Sequence, residues 1–546
     1  MLSRTTSQPV HCGSNNMRRS VKVQIQDASK APQLFATLGQ LTGVEFVSNG
    51  AYEASLQLGE TSSLPTHQST GPAPTLHCAE MIVGADDGAA EFVSVQFSND
   101  PDVPWPFRGR AVSTTIPTNC APIFPIEGER VLASTKAGAL WVVRTVAGCA
   151  HSRSAMPLLE IPLSGGFSQV FSGSSFLANL PLLQLLAQFS LTGIGVEKTV
   201  RATFMFDDPN LHWSSYGYVN YANLLKQAEL ENFHVSFATI PLDAWYVHAK
   251  TAKQFRENKK RLSLLVHGNN HTRHELARES SPLGCSALLQ QAQRRIEKLE
   301  RRANVSVDRV MVPPHGACSA NMLAALPGAG FEGACLSTGS LSAHNPSAEW
   351  IRELGFRPAE QILGCPVLPR WALVGIEDSE LLVAAYLGRP LILRGHHGDL
   401  RDGIDVLASR ARFINGLGDV QWRNNTALMR SSYQLNMIGK IAYLRVFSRE
   451  VIASIPPCTT ALVIEPSELD AASERFFVSG LGAKNLLSLP YQAIPLPVGG
   501  EETTVKIACS TTATRSDPVP MRGLDTSSVL RRLLTEVRDR VMPLKN

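Results

Sequence analysis

The stretch Ala202–Asn210, ATFMFDDPN, is an apolar run that ends in two adjacent carboxylates, Asp207 and Asp208. The run predicts a buried β-strand, with the carboxylates at its carboxyl end. Burying two acids costs free energy unless a cation offsets their charge. A metal ion held with other ligands would supply that charge. An Asp pair that caps the next helix is the structural alternative.

Two histidines follow another predicted strand further along the chain. Leu262–His267 runs into the segment HGNNH, which places His267 and His271 four residues apart. On a helical turn this spacing puts both imidazoles on one face, where they can share a metal ion. The spacing alone is a weak signal in a chain with 14 histidines, so its position at a strand end is the stronger indication.

Two later strand ends carry further polar residues. Arg309–Pro313 continues into VPPHG, where two prolines and a glycine fix a turn whose backbone N–H groups can face a ligand. Pro390–Leu393 continues into RGHH, a position that suits a general acid at His396 or His397. The alternative for VPPHG is a rigid loop without a ligand. The alternative for His396 and His397 is a structural histidine.

Apolar segments alternate with helical patterns between residues 198 and 435. This rhythm predicts parallel strands joined by crossover helices, in a sheet or a barrel whose active site lies at the carboxyl ends of the strands. The predicted strands are Arg201–Phe206, Phe233–Thr239, Leu262–His267, Arg309–Pro313, Gly333–Leu336 and Pro390–Leu393, and the predicted helices are Tyr218–Glu231, Ser286–Ala303, Cys318–Leu326 and Asp378–Leu387.

The regions on either side carry no motif that names a chemistry. We expect residues 1–20 to be disordered, 21–195 to form an N-terminal α/β module with a surface linker at 60–75, and 437–546 to form a β-rich domain. A small β-sandwich is expected at about 437–515. The SSVLRRLLTEVRDRV segment, Ser527–Val541, predicts a capped amphipathic helix.

Composition narrows the class of protein. The 546 residues, 44% hydrophobic and 18% charged, fit about three globular domains. A net charge of +4 without a basic stripe argues against a nucleic-acid partner.

The apolar stretch Phe176–Val196 is interrupted by polar residues and Pro181, so it predicts a buried helix rather than a membrane span. Ten scattered cysteines and the lack of an apolar segment at the start favour the cytoplasm.

Taken in order, the segments TFMFDD, HGNNH, VPPHG and LRGHH resemble the motifs of the polysaccharide deacetylase family, the NodB-homology or carbohydrate esterase family 4 group. The resemblance covers about residues 198–435. It implies a deformed barrel of the (β/α)7 type. It also implies a metal-dependent hydrolase that removes an N-acetyl or O-acetyl group from a glycan or sugar.

The resemblance assigns roles to the polar residues. Asp207 would be the catalytic base, while Asp208, His267 and His271 would bind a divalent metal, most likely zinc. Such a metal activates water and polarises the acyl carbonyl.

Five further residues have implied or interpreted roles. The resemblance implies that the backbone N–H of His315 stabilises the oxyanion. It also implies that His396, or else His397, protonates the leaving group. From the residues themselves we interpret Trp213 as a lip that stacks on a sugar ring, with helix-start packing as the alternative, and Trp371 as part of the acyl pocket.

This sequence departs from the family pattern at three positions. Val312 stands where the family has an arginine that supports the base, and Arg370 or Arg394 is the candidate to replace it. Pro209 and Gly268 replace the usual glycine and the usual serine or threonine. The departures indicate a distant member. They leave open a degenerate barrel that only binds a glycan or a partner, and a hydrolase of a non-sugar C–N amide bond.

Overall fold

The computed structural model describes residues 21–25, 28–59, 73–82, 90–118, 120–189, 199–279, 281–466, 475–481, 486–496, 502–509, 523 and 525–541. The chain is a mixed α/β protein with a curled central sheet. The segment 1–20, predicted to be disordered, and most of the predicted linker 60–75 lie outside the described residues.

The N-terminal region forms one nine-stranded mixed sheet in the order β2-β1-β3-β4-β9-β8-β7-β5-β6. The first five strands of this order are parallel and the remainder pair antiparallel. Its elements are β1 (Val21–Ile25), α1 (Pro32–Thr42), β2 (Val44–Val47), β3 (Ala54–Gly59), β4 (Thr75–Ile82), β5 (Ala90–Phe97), β6 (Ala111–Pro117), β7 (Arg130–Thr135), β8 (Gly138–Val146), β9 (Cys149–Leu159), α2 (Phe167–Val170) and α3 (Phe176–Ala187), with a short 3-10 helix at Ala28–Lys30.

Helix α3 lies in the apolar stretch Phe176–Val196 that the sequence predicted as a buried helix, of which residues 190–196 lie outside the described residues. It is buried almost throughout, and the Asn179 side chain satisfies backbone groups of Leu159 and Val170. The helix therefore packs as part of the core. Among the described residues, no helix combines the length and apolar character needed to cross a bilayer.

The central region forms a ten-stranded sheet in the order β17-β18-β16-β15-β14-β13-β10-β20-β19, with β21 paired to β10. All pairs are parallel except β17 with β18. Its strands, with a small hairpin β11–β12, are β10 (Val200–Asp207), β11 (Ser215–Tyr216), β12 (Val219–Asn220), β13 (Val235–Thr239), β14 (Leu262–His267), β15 (Val307–Val312), β16 (Gly333–Leu336), β17 (Glu360–Ile362), β18 (Cys365–Pro369), β19 (Trp371–Ala372), β20 (Leu391–Gly395) and β21 (Val420–Trp422).

Helices connect these strands and cover the sheet. The long helix α7 begins at Pro282, four residues before the predicted start, because Ser281 caps it by accepting from Gly284 N–H at 3.1 Å. The helices are α4 (Tyr221–Leu230), α5 (Ala249–Glu257), α6 (Glu275–Arg278), α7 (Pro282–Ala303), α8 (Ala320–Ala325), α9 (Thr338–His344), α10 (Asp378–Tyr386), α11 (Asp405–Asn415) and α12 (Asn425–Arg430), with 3-10 turns at Pro241–Asp243, Pro314–Gly316, Pro327–Ala329, Glu349–Glu353 and His397–Leu400.

One extended segment meets both edges of the curled sheet. Its first part, β18, pairs with β16, and its second part, β19, pairs with β20 on the opposite edge. A separate apolar cluster of buried residues includes one or two residues from each of seven strands of this sheet: Met205, Ala238, Leu265, Val310, Val312, Cys335, Leu368 and Ile392. The six predicted strands are observed, and β18 and β19 add to them in the chain between β16 and β20.

The C-terminal region forms two four-stranded sheets, in the orders β22-β23-β25-β28 and β24-β29-β26-β27. Both sheets contribute to one apolar cluster, separate from the core that the first two regions share. The elements are β22 (Tyr433–Ile438), β23 (Ile441–Val446), β24 (Glu450–Ile455), β25 (Ala461–Glu465), β26 (Phe476–Ser479), β27 (Leu486–Ser488), β28 (Ala493–Pro495), β29 (Thr503–Cys509) and helix α13 (Thr526–Val541).

Candidate metal centre

Asp208, His267 and His271 meet at the carboxyl ends of β10 and β14. The Asp208 Oδ1 atom lies 3.3 Å from His267 Nε2 and 2.9 Å from His271 Nε2. The three ligand atoms all lie within 4.8 Å of one another. Ligands of a tetrahedral zinc ion, at about 2.1 Å from the metal, are separated by roughly 3.4 Å, so this spacing fits a metal site.

The hydrogen bonds around the three residues also fit a metal. His267 Nδ1 donates to the carbonyl of Val312 at 2.8 Å, which leaves Nε2 free as a ligand atom. Asp208 Oδ1 is buried and faces the Nε2 atoms of the two imidazoles. Burial would raise the pKa of Asp208, but the two imidazoles hold it well below its usual value. A buried, ionised oxygen beside two imidazole nitrogens is a donor set that suits a divalent cation.

The HGNNH segment is a loop, and the predicted helical turn is wrong. Gly268 and His271 have positive φ angles of 62° and 55°, which no α-helix contains. A Cβ at Gly268 would lie 2.5 Å from Glu275 Oε1 and 2.5 Å from Pro314 Cγ. The glycine that departs from the family pattern is therefore required here by both space and backbone conformation.

Glu275 shapes this loop from within. Its buried carboxylate accepts from the backbone N–H groups of Asn269 at 2.7 Å, Asn270 at 3.1 Å and His271 at 3.0 Å. Arg295 supports the other side by donating to Asn269 Oδ1 at 2.6 Å. The sequence interpretation missed Glu275, because a glutamate four residues after a histidine carries no signal of its own.

Asp207 faces Arg370 rather than the metal ligands. Arg370 Nη1 lies 3.1 Å from Oδ1 and 3.0 Å from Oδ2 of Asp207, and both side chains are about 95% buried. Burial raises the pKa of Asp207, but Arg370, together with His267 and His396, brings it below its usual value. The structure thus keeps this carboxylate ionised inside the protein.

Arg370 lies between β18 and β19, and from this position it contacts Asp207. The arginine that the family pattern has in the loop after β15 is Val312 in this chain. Arg394, the other candidate, approaches His396 Nδ1 at 3.4 Å instead. Of the two arginines offered by the sequence, Arg370 is the one that contacts Asp207.

The two neighbouring histidines after β20 have different surroundings. His396 lines the same cavity as Asp207, Asp208 and His271, and its backbone N–H donates to Asp399 Oδ2 at 2.8 Å. The His397 ring packs against Tyr216 and Tyr218, with Nε2 3.8 Å from Asp539, and it does not line that cavity. Burial lowers the pKa of His397.

A cavity of about 880 Å³ opens beside the candidate metal centre. His315, Arg370 and Trp371 line it. Trp213 does not line it: the indole is half exposed at another position, so the structure does not bring this predicted lip residue to the site.

The N-terminal region supplies one wall of this cavity. The lining includes Ser164, Ser168, Gln169 and Ser172, which lie between β9 and α3. Ser337–Ser342 contributes more hydroxyl groups from the start of α9. No sequence pattern pointed to these residues, because they reach the site only through the packing of two distant regions.

Comparisons with known proteins give likenesses among solved structures. No family model matches the chain, and no curated protein matches it. A crystal structure of a novel carbohydrate deacetylase is 12% identical, covers 90% of this chain and 98% of its own, and has a TM-score of 0.48.

Two shorter chains match part of the sequence. A putative polysaccharide deacetylase from Mycobacterium smegmatis is 18% identical over 42% of this chain and 88% of its own, with a TM-score of 0.29. A family 4 carbohydrate esterase pseudoenzyme from Bacillus anthracis is 12% identical over 41% of this chain and 68% of its own, with a TM-score of 0.25. Carbohydrate deacetylases and esterase-family relatives are thus among the structures to which this chain is similar.

Proposed function

We propose that this chain is a metal-dependent hydrolase that removes an acetyl group from the nitrogen or oxygen of a sugar in a glycan. The observation that carries the proposal is the convergence of two different sets of residues on one cavity. Asp208, His267 and His271 form a metal-ligand set. Asp207 with Arg370 and His396 supplies an acid–base set beside it.

The residues divide the chemistry between them. A divalent metal, for which we propose zinc, supplies an activated water and polarises the acyl carbonyl when bound. Asp207 accepts the proton of the attacking water, and Arg370 fixes the orientation of that carboxylate. His396 donates a proton to the departing amine or alcohol. The backbone N–H of His315 stabilises negative charge on the acyl oxygen.

We infer that the curled sheet is a closed barrel of seven parallel strands. The pairing of β18 and β19 with opposite edges supports this, as does the interior cluster, to which seven strands contribute. Closure brings β10, β14 and β20 to one rim. Active sites of such barrels lie at this carboxyl-terminal rim. We also propose that the domain formed by this barrel begins near residue 198 and ends near residue 435.

Two observations favour turnover of a glycan over the alternatives. The replacement of the missing loop arginine by Arg370 removes the reason to expect a degenerate site. The hydroxyl and amide groups of Ser164, Ser168 and Gln169 offer hydrogen-bond partners that suit a substrate rich in hydroxyls.

Acetate release from acetylated oligosaccharides, assayed with Zn²⁺ present, tests the proposal. The wild-type chain is expected to release acetate, and Asp207→Asn to be slower by about 10²–10⁴-fold, the usual contribution of a general base. Asp405→Asn, an exposed aspartate at the start of α11, is the matched control and is expected to match the wild type. Release of acetate at equal rates by the wild type and Asp207→Asn would contradict the assigned base, and no release by the wild type would contradict the activity.

A further inference from the structure

Helix α13 binds to the protein through its polar face. Ser528, Arg532 and Asp539 are almost completely buried, whereas Leu530, Leu534 and Val537 are 61%, 64% and 59% exposed. This is the reverse of the usual arrangement, in which an amphipathic helix buries its apolar stripe. Apolar burial therefore contributes little to holding the helix in place, and its ionic and hydrogen-bond contacts must account for its position.

Those contacts reach loops that follow several strands of the central sheet. Arg532 pairs with Asp243 after β13, with an Nη2–Oδ2 distance of 2.6 Å. Tyr216, after β10, donates to Asp539 Oδ2 at 2.9 Å. The same Asp539 lies 3.8 Å from His397 Nε2 after β20. All these loops belong to the rim that carries the candidate metal centre.

One contact reaches the metal loop itself. Arg531 Nη2 donates to the carbonyl oxygen of Asn270 at 2.9 Å and to that of His271. His271 adopts a left-handed backbone conformation, with φ of 55°, which costs free energy for a residue other than glycine. Arg531 thus binds the carbonyl side of the same loop whose N–H groups are held by Glu275.

We propose that Arg531 is a positioning residue for the metal ligand His271, and that docking of α13 and binding of the metal are coupled. The proposal rests on the metal site of the proposed function. Outer partners of metal ligands commonly contribute 10–100-fold to metal affinity. The coupling is reciprocal by thermodynamic linkage: if the docked helix strengthens metal binding, the bound metal must strengthen helix docking by the same factor.

The first experiment measures the Zn²⁺ dissociation constant of the full chain by competition with a chromogenic chelator. Arg531→Gln is expected to bind Zn²⁺ about 10–100-fold more weakly than the wild type. Leu530→Ala, an exposed neighbour on the same helix, is the matched control and is expected to bind as the wild type does. A dissociation constant for Arg531→Gln equal to that of the control would overturn the proposal.

The second experiment tests the reciprocal effect without altering Arg531. Trypsin can cleave after the buried Arg532 of α13 only when the helix leaves the rim, so the rate of release of the peptide that begins at Leu533 reports docking. Zn²⁺ is expected to slow that release in the wild type and to leave it unchanged in Asp208→Ala. Equal cleavage rates with and without Zn²⁺ in a wild-type chain that binds the ion would refute the coupling. A wild type that binds no Zn²⁺ would overturn the proposed function and, with it, this inference.

Discussion

Two arginine–carboxylate pairs lie buried in the central region, and they differ in geometry. In the pair beside the candidate metal centre, one Arg370 nitrogen lies 3.0 and 3.1 Å from the two oxygens of Asp207. In the second pair, Arg389 Nη2 lies 3.6 Å from Glu360 Oε1. All four side chains are at least 93% buried, so burial does not distinguish the pairs.

Their surroundings give the two carboxylates opposite tendencies to ionise. Burial raises the pKa of both. At Asp207, Arg370 and the imidazoles of His267 and His396 more than offset burial, and the pKa falls below its usual value. At Glu360, Arg389 and the N–H of Gly355 offset only part of it, and the pKa stays above its usual value. A buried carboxylate is thus kept ionised by close cations, and burial alone does not decide its charge.

The largest expected effect on stability comes from breaking the pair at the site. Arg370→Met should lower the free energy of unfolding by about 3–5 kcal/mol, because it leaves the Asp207 carboxylate buried without its arginine. Urea denaturation of the metal-free chain measures this change. The double variant Asp207→Asn/Arg370→Met should recover much of the loss, and a double variant as unstable as Arg370→Met would show that the charge of Asp207 is not the cause.

Breaking the second pair should affect stability much less than breaking the first. Glu360→Gln should change the free energy of unfolding far less than Arg370→Met does, because folding raises the pKa of Glu360 and so favours its neutral form, which the amide resembles. Acetate release should stay close to that of the wild type, since Glu360 does not line the cavity. A loss of acetate release as large as that of Asp207→Asn would show that both pairs serve the chemistry. It would contradict the expectation that only the Asp207–Arg370 pair does so.

The smallest expected effect is on the pH dependence of stability. A carboxyl whose pKa is raised by folding stabilises the protein fully only below its unfolded pKa, about 4.3 for Glu, and that stabilisation is lost as pH rises through the folded pKa. Glu360→Gln should therefore reduce the decline in unfolding free energy above about pH 4.3. Asp207 acts in the opposite sense: its contribution is present above its unfolded pKa of about 3.9 and is lost as pH falls through its lower folded pKa. Denaturation curves from pH 3.5 to 7 on wild type and Glu360→Gln measure the difference, and parallel curves would contradict the raised pKa of Glu360.

The sequence identified those parts of the site that follow directly from strand ends. Asp207, Asp208 and His267 each come at the end of an apolar run, and parallel strands bring such ends to one rim. Arg370 could be named only as a candidate, because β18 and β19 were not predicted as strands and their register was unknown. The difference between His396 and His397 also depends on contacts with Tyr216 and Asp539 that no local pattern reveals.

Other features arise only from contacts between distant segments. The orientation of α13 is the clearest case, since its leucine and valine spacing predicts a buried apolar stripe and the folded chain buries Ser528, Arg532 and Asp539 instead. Its start also differs: the helix begins at Thr526, one residue before the predicted start, and Asp525 caps the first turn by accepting from the N–H groups of Ser527 and Ser528. Long-range ion pairs such as Arg532 with Asp243 decide the orientation, and neither periodicity nor composition encodes them.

We infer that Asp208, His267 and His271 hold a metal ion that the chemistry requires. The metal content of the purified full chain, after dialysis against Zn²⁺ and then against metal-free buffer, tests this by inductively coupled plasma mass spectrometry. We expect about one zinc ion per wild-type chain and far less in Asp208→Ala, because two imidazoles alone leave the site with two of its three protein ligands. A wild type that retains no metal, or an Asp208→Ala variant that retains as much as the wild type, would contradict it.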